Sequence, residues 1–205
     1  MTQSKQHWEQ VYSEKTPVEV SWFQSEPTMS LQVIQAALPN HNDAIIDVGG
    51  GASRLVDHLL DRGYNNVAVL DISSQAIEHA KTRLGPRADQ VEWFIQDITQ
   101  FQAPRKFHCW HDRAVFHFLT DSDDRQRYVE NLNRALESNA DVLIATFAIG
   151  GPEKCSGLDI VQYDAEKIQE VLGAEFELLD VKHEIHITPG NAQQKFNYFH
   201  FRKIQ

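Results

Sequence analysis

The chain is poor in cysteine. Cys109 and Cys155 are the only two in 205 residues, too few for a disulfide framework, so a reducing cytoplasm is the expected compartment. It is also poor in positive charge. Lys and Arg number 19 against 29 Asp and Glu, a formal net charge of −10. Nucleic-acid binders carry a basic stripe, so no nucleic-acid partner is expected. No apolar run approaches a membrane span, and the opening residues, Met1 to His7, lack the apolar stretch of a secretion signal. Internal repeats and low-complexity runs are missing too. The rest, 41% hydrophobic and 23% charged, is the composition of an ordinary globular domain, and the length suits one domain with at most a short extension.

Apolar runs alternate with helical patterns along this domain. Residues 44–48 read as a buried strand ending in Gly49-Gly50-Gly51, and Leu55, Val56, Leu59 and Leu60 follow at helical spacing. Residues 66–71 are a second strand. Ser73 or Ser74 can cap the helix after it, which Gly85-Pro86 stops. Further strands are expected at 91–96, 106–111 and 141–147. A helix precedes the last of these, and Asp164 can cap another. The tail differs: 175–187 and 193–202 are extended runs separated only by Thr188-Pro189-Gly190-Asn191, hence an antiparallel hairpin. The pattern predicts an α/β fold, a doubly wound, mostly parallel sheet with a reversed strand near one edge. Residues 1–42 form a helical N-terminal extension, and 43–205 form one globular unit.

Open parallel sheets bind ligands beyond the carboxyl ends of their strands. The first strand ends in Asp47-Val48-Gly49-Gly50-Gly51-Ala52-Ser53. Three glycines let the backbone bend sharply and come close to a ligand. A dinucleotide loop needs a small residue at the sixth position counted from Gly49, and Arg54 stands there instead. A P-loop needs Gly-Lys-Ser/Thr, which is missing. The loop is therefore expected to face a nucleoside without a pyrophosphate. Asp71 ends the second strand, 20 residues past Gly51, where a carboxylate can accept from both hydroxyls of a ribose. At the third strand end, Asp97 can accept from the exocyclic amine of adenine while the Ile98 amide donates to a ring nitrogen. Ile72 can cover the adenine face. Asp71 and Asp97 each have a plainer reading as a helix cap.

With these strand ends in place, the chain resembles the class I S-adenosylmethionine-dependent methyltransferases. Residues 45–51 look like that family's first motif, 69–73 like its second and Gln96-Asp97-Ile98 like its third. One departure is Ser53, where many members have a third glycine. The resemblance implies a Rossmann-like seven-stranded sheet and S-adenosylmethionine as cofactor, with S-adenosylhomocysteine as product. It places Asp47 near the methionine end and Gly49, Gly50 and Gly51 against the cofactor. Asp71 then holds the ribose, and Asp97 with Ile98 the adenine. The protein's task is to align an acceptor with the S–CH₃ bond.

The acceptor side is expected at the fourth strand end, Cys109 to Phe118. It lacks the Asn/Asp-Pro-Pro-aromatic motif of base and glutamine-amide methylases. Asp112 and His117 are candidate bases, His117 because an ordinary histidine titrates near 6.5. Its plainer reading is a histidine packed between Phe116 and Phe118. Arg113 is a candidate anion anchor, or a scaffold partner of a nearby acid. His108, Cys109 and His111 do not assemble a metal site, since strand neighbours alternate faces, and no metal is expected. Aromatics concentrate in His7-Trp8-Glu9, Tyr12 and Trp22-Phe23. Similar preambles occur in small-molecule members of the family and in some protein-lysine ones, and Trp22 is expected to lie over the methionine end as part of a lid. The expected activity is methyl transfer to a small molecule. Protein-lysine methylation is the alternative enzyme, and a non-catalytic S-adenosylmethionine-binding module the alternative of another class.

Overall fold

A computed structural model describes residues 3–204. Two helices open it, α1 (Gln3–Glu14) and α2 (Thr28–Ala37). Alternation then begins with β1 (Ile45–Val48), α3 (Leu55–Asp61), β2 (Val67–Asp71), α4 (Ser74–Leu84), β3 (Val91–Ile95), β4 (Phe107–Arg113), α5 (Ser122–Ala135) and β5 (Leu136–Phe147). A small hairpin, β6 (Lys154–Cys155) and β7 (Leu158–Asp159), precedes α6 (Ala165–Leu172). Two long strands, β8 (Phe176–Ile187) and β9 (Gln193–Lys203), end the chain.

Seven strands form one sheet in the order β3-β2-β1-β4-β5-β9-β8. The first five strands are parallel, while β9 runs antiparallel to both β5 and β8. This is the Rossmann-like doubly wound sheet with a reversed terminal hairpin. The winding reverses at β1, which has β2 on one side and β4 on the other. A crevice therefore opens above the ends of β1 and β4.

Each face has its own apolar layer. Trp110, Tyr128, Leu132 and Ile168 bring α5 and α6 onto one face. Leu31, Ile34, Leu59 and Ile77 bring α2, α3 and α4 onto the other. Full burial of one such side chain contributes about 1.5–3 kcal/mol, and these two layers fix the strand ends. The helix starts follow the sequence. Ser73 Oγ accepts from the Ala76 amide, Asp121 from the Asp123 and Asp124 amides, and Asp164 from the Lys167 amide.

Three features differ from the sequence expectation. The fifth strand starts at Leu136, directly out of α5, and not at Asp141. Glu137, Ser138 and Asn139 are exposed, so no apolar run marks that start. Residues 149–162, where no strand was expected, contain the β6–β7 hairpin, turned through Ser156 and Gly157 at positive φ. The preamble is two separate helices, and Trp22 lies in the segment between them. Among the described residues, no helix is long and apolar enough to cross a membrane.

Candidate functional site

The crevice is built on the glycine bend. Gly49 has φ +70°, a conformation that favours glycine, and its amide donates to Leu70 O at 2.7 Å, locking the bend to β2. A Cβ on Gly51 would overlap the Asp71 carboxylate and the Ala76 methyl, and one on Gly50 would overlap the Asp47 carboxylate. The backbone can thus run between two acids only without side chains. Asp71 reinforces this: Oδ2 accepts from the Gly51 amide at 3.0 Å and Oδ1 from the Ser73 amide at 2.8 Å. Burial raises its pKa to about 6, although the two amides work in the opposite direction. Each of its oxygens keeps a further lone pair for a hydroxyl.

Asp97 caps the single helical turn after β3. Its Oδ1 accepts from the Thr99 amide at 2.9 Å and the Thr99 hydroxyl at 2.8 Å. Ile98 is buried, its carbonyl held by Asn131 Nδ2 at 2.6 Å, and Ile72 is half-buried beside Asp71.

Asp47 ends up in a more elaborate setting than its motif suggested. Oδ1 accepts from His111 Nδ1 at 2.7 Å, and His111 Nε2 lies 2.9 Å from Ser30 Oγ. Oδ2 is buried without a partner. The wall of the cleft here includes Asp47, Gly49, Gly50, His111, Ser30, Arg113, Tyr12 and Trp22.

Helix α1 closes this cleft. Glu9 accepts from Ser74 N and Ser74 Oγ at 2.8 Å each, from Ser73 Oγ at 2.9 Å and from Gln75 N at 3.1 Å, so it satisfies free amides at the start of α4. These bonds hold its pKa below the usual carboxylate range although burial acts most strongly and the other way. Tyr12 packs on Ala52 and Ala76, and Trp22 Nε1 donates to Tyr12 Oη at 3.2 Å. Trp8 meets Trp22 and Phe118 edge to face, with ring centroids 5.6 and 5.1 Å apart.

Around the end of β4, alternation separates neighbours. His111 and Arg113 face the cleft, whereas Asp112 points through the sheet. Asp112 accepts from Tyr128 Oη at 2.7 Å and from the Val115 and Phe116 amides at 2.8 and 3.1 Å. Burial raises its pKa to about 6, with Tyr128 and the amides acting against it. His117 is fully buried between Phe118 and Phe147, with its Nδ1 facing the Phe147 amide at 3.4 Å and its Nε2 without a partner. The premise of a pKa near 6.5 does not hold: burial, helped by the Arg113 charge, lowers it to about 3. Arg113 reaches across to the terminal hairpin. Nε donates to Tyr198 Oη at 2.9 Å and Nη1 to Trp22 O at 3.1 Å, while Nη2 lies 3.8 Å from Glu184 and the group stacks on Phe196.

Among the described residues, no group of three or more His, Cys, Asp or Glu is placed to hold a metal ion. The structure thus brings Asp47, Gly49, Gly50 and Trp22 to one cleft, with Asp71 bonded to the adjoining Gly51 amide, and leaves Asp97, Ile98 and Ile72 outside that lining. Sequence reasoning missed Glu9, Ser30 and the pairing of His111 with Asp47. His111 carried one usable signal: it shares a strand face with Cys109 and Arg113, and β1 must lie beside it.

Comparison with known proteins fits this geometry. Residues 45–139 match the family model described as "Methyltransferase domain". A curated mouse relative, "eEF1A lysine and N-terminal methyltransferase" (Mus musculus), is 23% identical over 156 residues, covering 76% of this chain and 21% of the relative. The chain therefore spans about a fifth of the curated relatives it matches. Among solved structures, one titled "Conversion of a Disulfide Bond into a Thioacetal Group during Echinomycin Biosynthesis" superposes with a TM-score of 0.79. Identity is 15%, and 98% of this chain and 91% of that one are covered. The N-methyltransferase NodS from Bradyrhizobium japonicum WM9, bound to S-adenosyl-L-homocysteine, superposes with a TM-score of 0.72 at 16% identity, over 96% of this chain and 98% of that one. The strand-end motifs, the match over residues 45–139 and the sheet order make the chain similar to the class I S-adenosylmethionine-dependent methyltransferases.

Proposed function

We propose that the crevice holds S-adenosylmethionine and that the protein moves its methyl group to a small-molecule acceptor. One observation carries the cofactor assignment: the glycine bend threads between two buried carboxylates, one of which, Asp47, has an oxygen without a partner. A donor with an ammonium at one end and a ribose diol at the other suits both acids. When bound, the sulfonium supplies an activated methyl group. The chain's own residues do the rest. Asp71 accepts from the ribose hydroxyls. Gly49, Gly50 and Gly51 admit the ligand to the backbone. Ile72 covers one face of the adenine, and Asp97 and Ile98 meet its edge. Asp47 takes the ammonium, and Trp22 covers the methionine end.

The segment from α1 through Trp22 acts as a lid. It is fastened by Glu9 and by the Trp8–Trp22–Phe118 cluster, and it keeps water from the transfer. Under this lid the acceptor meets the Trp22 and Phe118 rings, and His117 packs against Phe118. A pKa of about 3 leaves His117 neutral at physiological pH. Its part is then to set the Phe118 ring that packs on it, and Asp112 positions both by holding the 115–116 backbone.

The second reading, a protein-lysine methyltransferase, is favoured by the 23% likeness to the curated relative. Incubation with methyl-labelled S-adenosylmethionine and cell extract, split into small-molecule and protein fractions, separates them. Label in the small-molecule fraction is the expected result. Label confined to protein contradicts the small-molecule assignment. Tight cofactor binding with no label in either fraction indicates a binding module.

A further inference from the structure

The bonds around Asp47 lead one step further. Asp47, His111 and Ser30 come from β1, β4 and α2, and each is at most 3% exposed. A carboxylate only accepts, so His111 Nδ1 donates the 2.7 Å bond to Asp47 Oδ1. Ser30 Oγ fixes the far side of the ring at 2.9 Å. An imidazole held at both ends cannot swing, and Asp47 cannot rotate without breaking its bond to it. Oδ2 is therefore kept on the cleft wall beneath Gly50, buried and without a partner. A buried carboxylate oxygen left without a donor is unfavourable, and a ligand N–H placed there removes the deficit.

We propose that His111, seated on Ser30, is the positioning residue for the amino-acid end of the methyl donor: it aims Asp47 Oδ2 at an ammonium group. This rests on the assignment of S-adenosylmethionine to the crevice. His111 touches no reacting atom and acts through Asp47. A purely structural tie between β1 and β4 would use the same Asp47–His111 bond, but it gives no reason for the second carboxylate oxygen to stay free.

The test is titration calorimetry with two ligands, S-adenosylhomocysteine and its deamino analogue, in which hydrogen replaces the ammonium. The wild-type protein is expected to prefer the first by about tenfold or more, as for a charge-assisted hydrogen bond. His111→Ala should bind S-adenosylhomocysteine about tenfold more weakly and the deamino analogue within about twofold of wild type, so that the preference collapses. His111→Asn, whose Nδ2–H stands near the lost Nδ1–H, should restore most of it. Equal weakening of both ligands in His111→Ala, or an unchanged preference, overturns the proposal. Should His111→Ala not fold, Ser30→Ala removes one hydroxyl and should lower the preference about threefold; an unchanged preference there overturns it as well. Failure of the wild-type protein to bind S-adenosylhomocysteine overturns the cofactor assignment and this proposal together. Binding without dependence on His111 overturns this proposal alone.

Discussion

The two sides of the crevice are made differently. Above β1, β2 and β3, the site consists of backbone and short-range contacts: three glycines, and an aspartate 20 residues on that bonds to the Gly51 amide. Above β4, β5 and β9, it consists of side chains brought from far along the chain. Arg113 bonds to Tyr198, 85 residues later, and to Trp22, 91 residues earlier. The first side presents a shape that only glycine permits, so it constrains its ligand through the backbone. The second presents rings and a guanidinium whose arrangement depends on how α1, the 149–162 segment and the terminal hairpin meet.

Substitution in the first side should therefore cost most. Gly51→Ala places a methyl against the Asp71 carboxylate and the Ala76 side chain. An overpacking cost of about 1–3 kcal/mol, if met on the binding-competent bend, predicts a loss of S-adenosylhomocysteine affinity of about fivefold to 150-fold, read by calorimetry. Wild-type affinity in that variant would show that the bend does not carry the ligand.

The same side should be sensitive to acid. Asp71 titrates at about 6 in the folded protein, and ribose hydroxyls need its ionised form as acceptor. Affinity should fall as pH drops through about 6, by up to tenfold per pH unit. Asp71→Asn should bind weakly and show no such slope in that window. A slope that persists in the variant assigns it to another group.

The second side should affect turnover more than cofactor affinity. Arg113→Gln loses its grip on the Trp22 carbonyl and Tyr198. Label transfer in extract should drop about tenfold while S-adenosylhomocysteine affinity falls only about threefold, through the loosened Trp22 cover. Equal losses in both would erase the contrast between the two sides.

His117 gives a test of stability. Its folded pKa of about 3 lies below the ordinary value. Between the two, the unfolded chain binds a proton that the folded protein refuses, so this contribution is full above about 6.5 and is lost as pH falls toward 3. Asp71 and Asp112, raised to about 6, oppose it with the other sign between about 4 and 6. Comparison with His117→Leu isolates the histidine. In urea unfolding between pH 7 and pH 5, wild type should lose about 2 kcal/mol more than the variant. Equal losses would mean that His117 is hydrated in solution. The smallest effect is expected at the lid: Glu9→Ala should speed S-adenosylhomocysteine release about threefold in stopped-flow measurements, as the hydrogen bonds to the start of α4 are lost.

The same contrast explains what could be read from the sequence. The alternation of strands and helices, the caps at Ser73 and Asp164, and the reversed terminal hairpin are local patterns, and the structure has them all. The start of β5 was hidden because Glu137, Ser138 and Asn139 form strand without burial. Side-chain partners separated by many residues leave no local trace. Nothing in His7-Trp8-Glu9 announces that Glu9 sits on the amides of α4, and nothing in the β4 sequence announces that Asp47 and Ser30 flank His111. Burial was equally illegible at His117, whose neighbours Phe116 and Phe118 fitted both a site and a core.

The central claim is that the triglycine bend and Asp71 together hold an S-adenosyl nucleoside. Calorimetric titration of S-adenosylhomocysteine into the wild-type protein and into Asp71→Ala tests it most directly. One-to-one binding by the wild type, weakened about a hundredfold or more by loss of the two charge-assisted ribose contacts, is the predicted result. Undiminished affinity in Asp71→Ala, or a wild type that ignores S-adenosylhomocysteine and takes up a pyrophosphate-bearing dinucleotide, would contradict it.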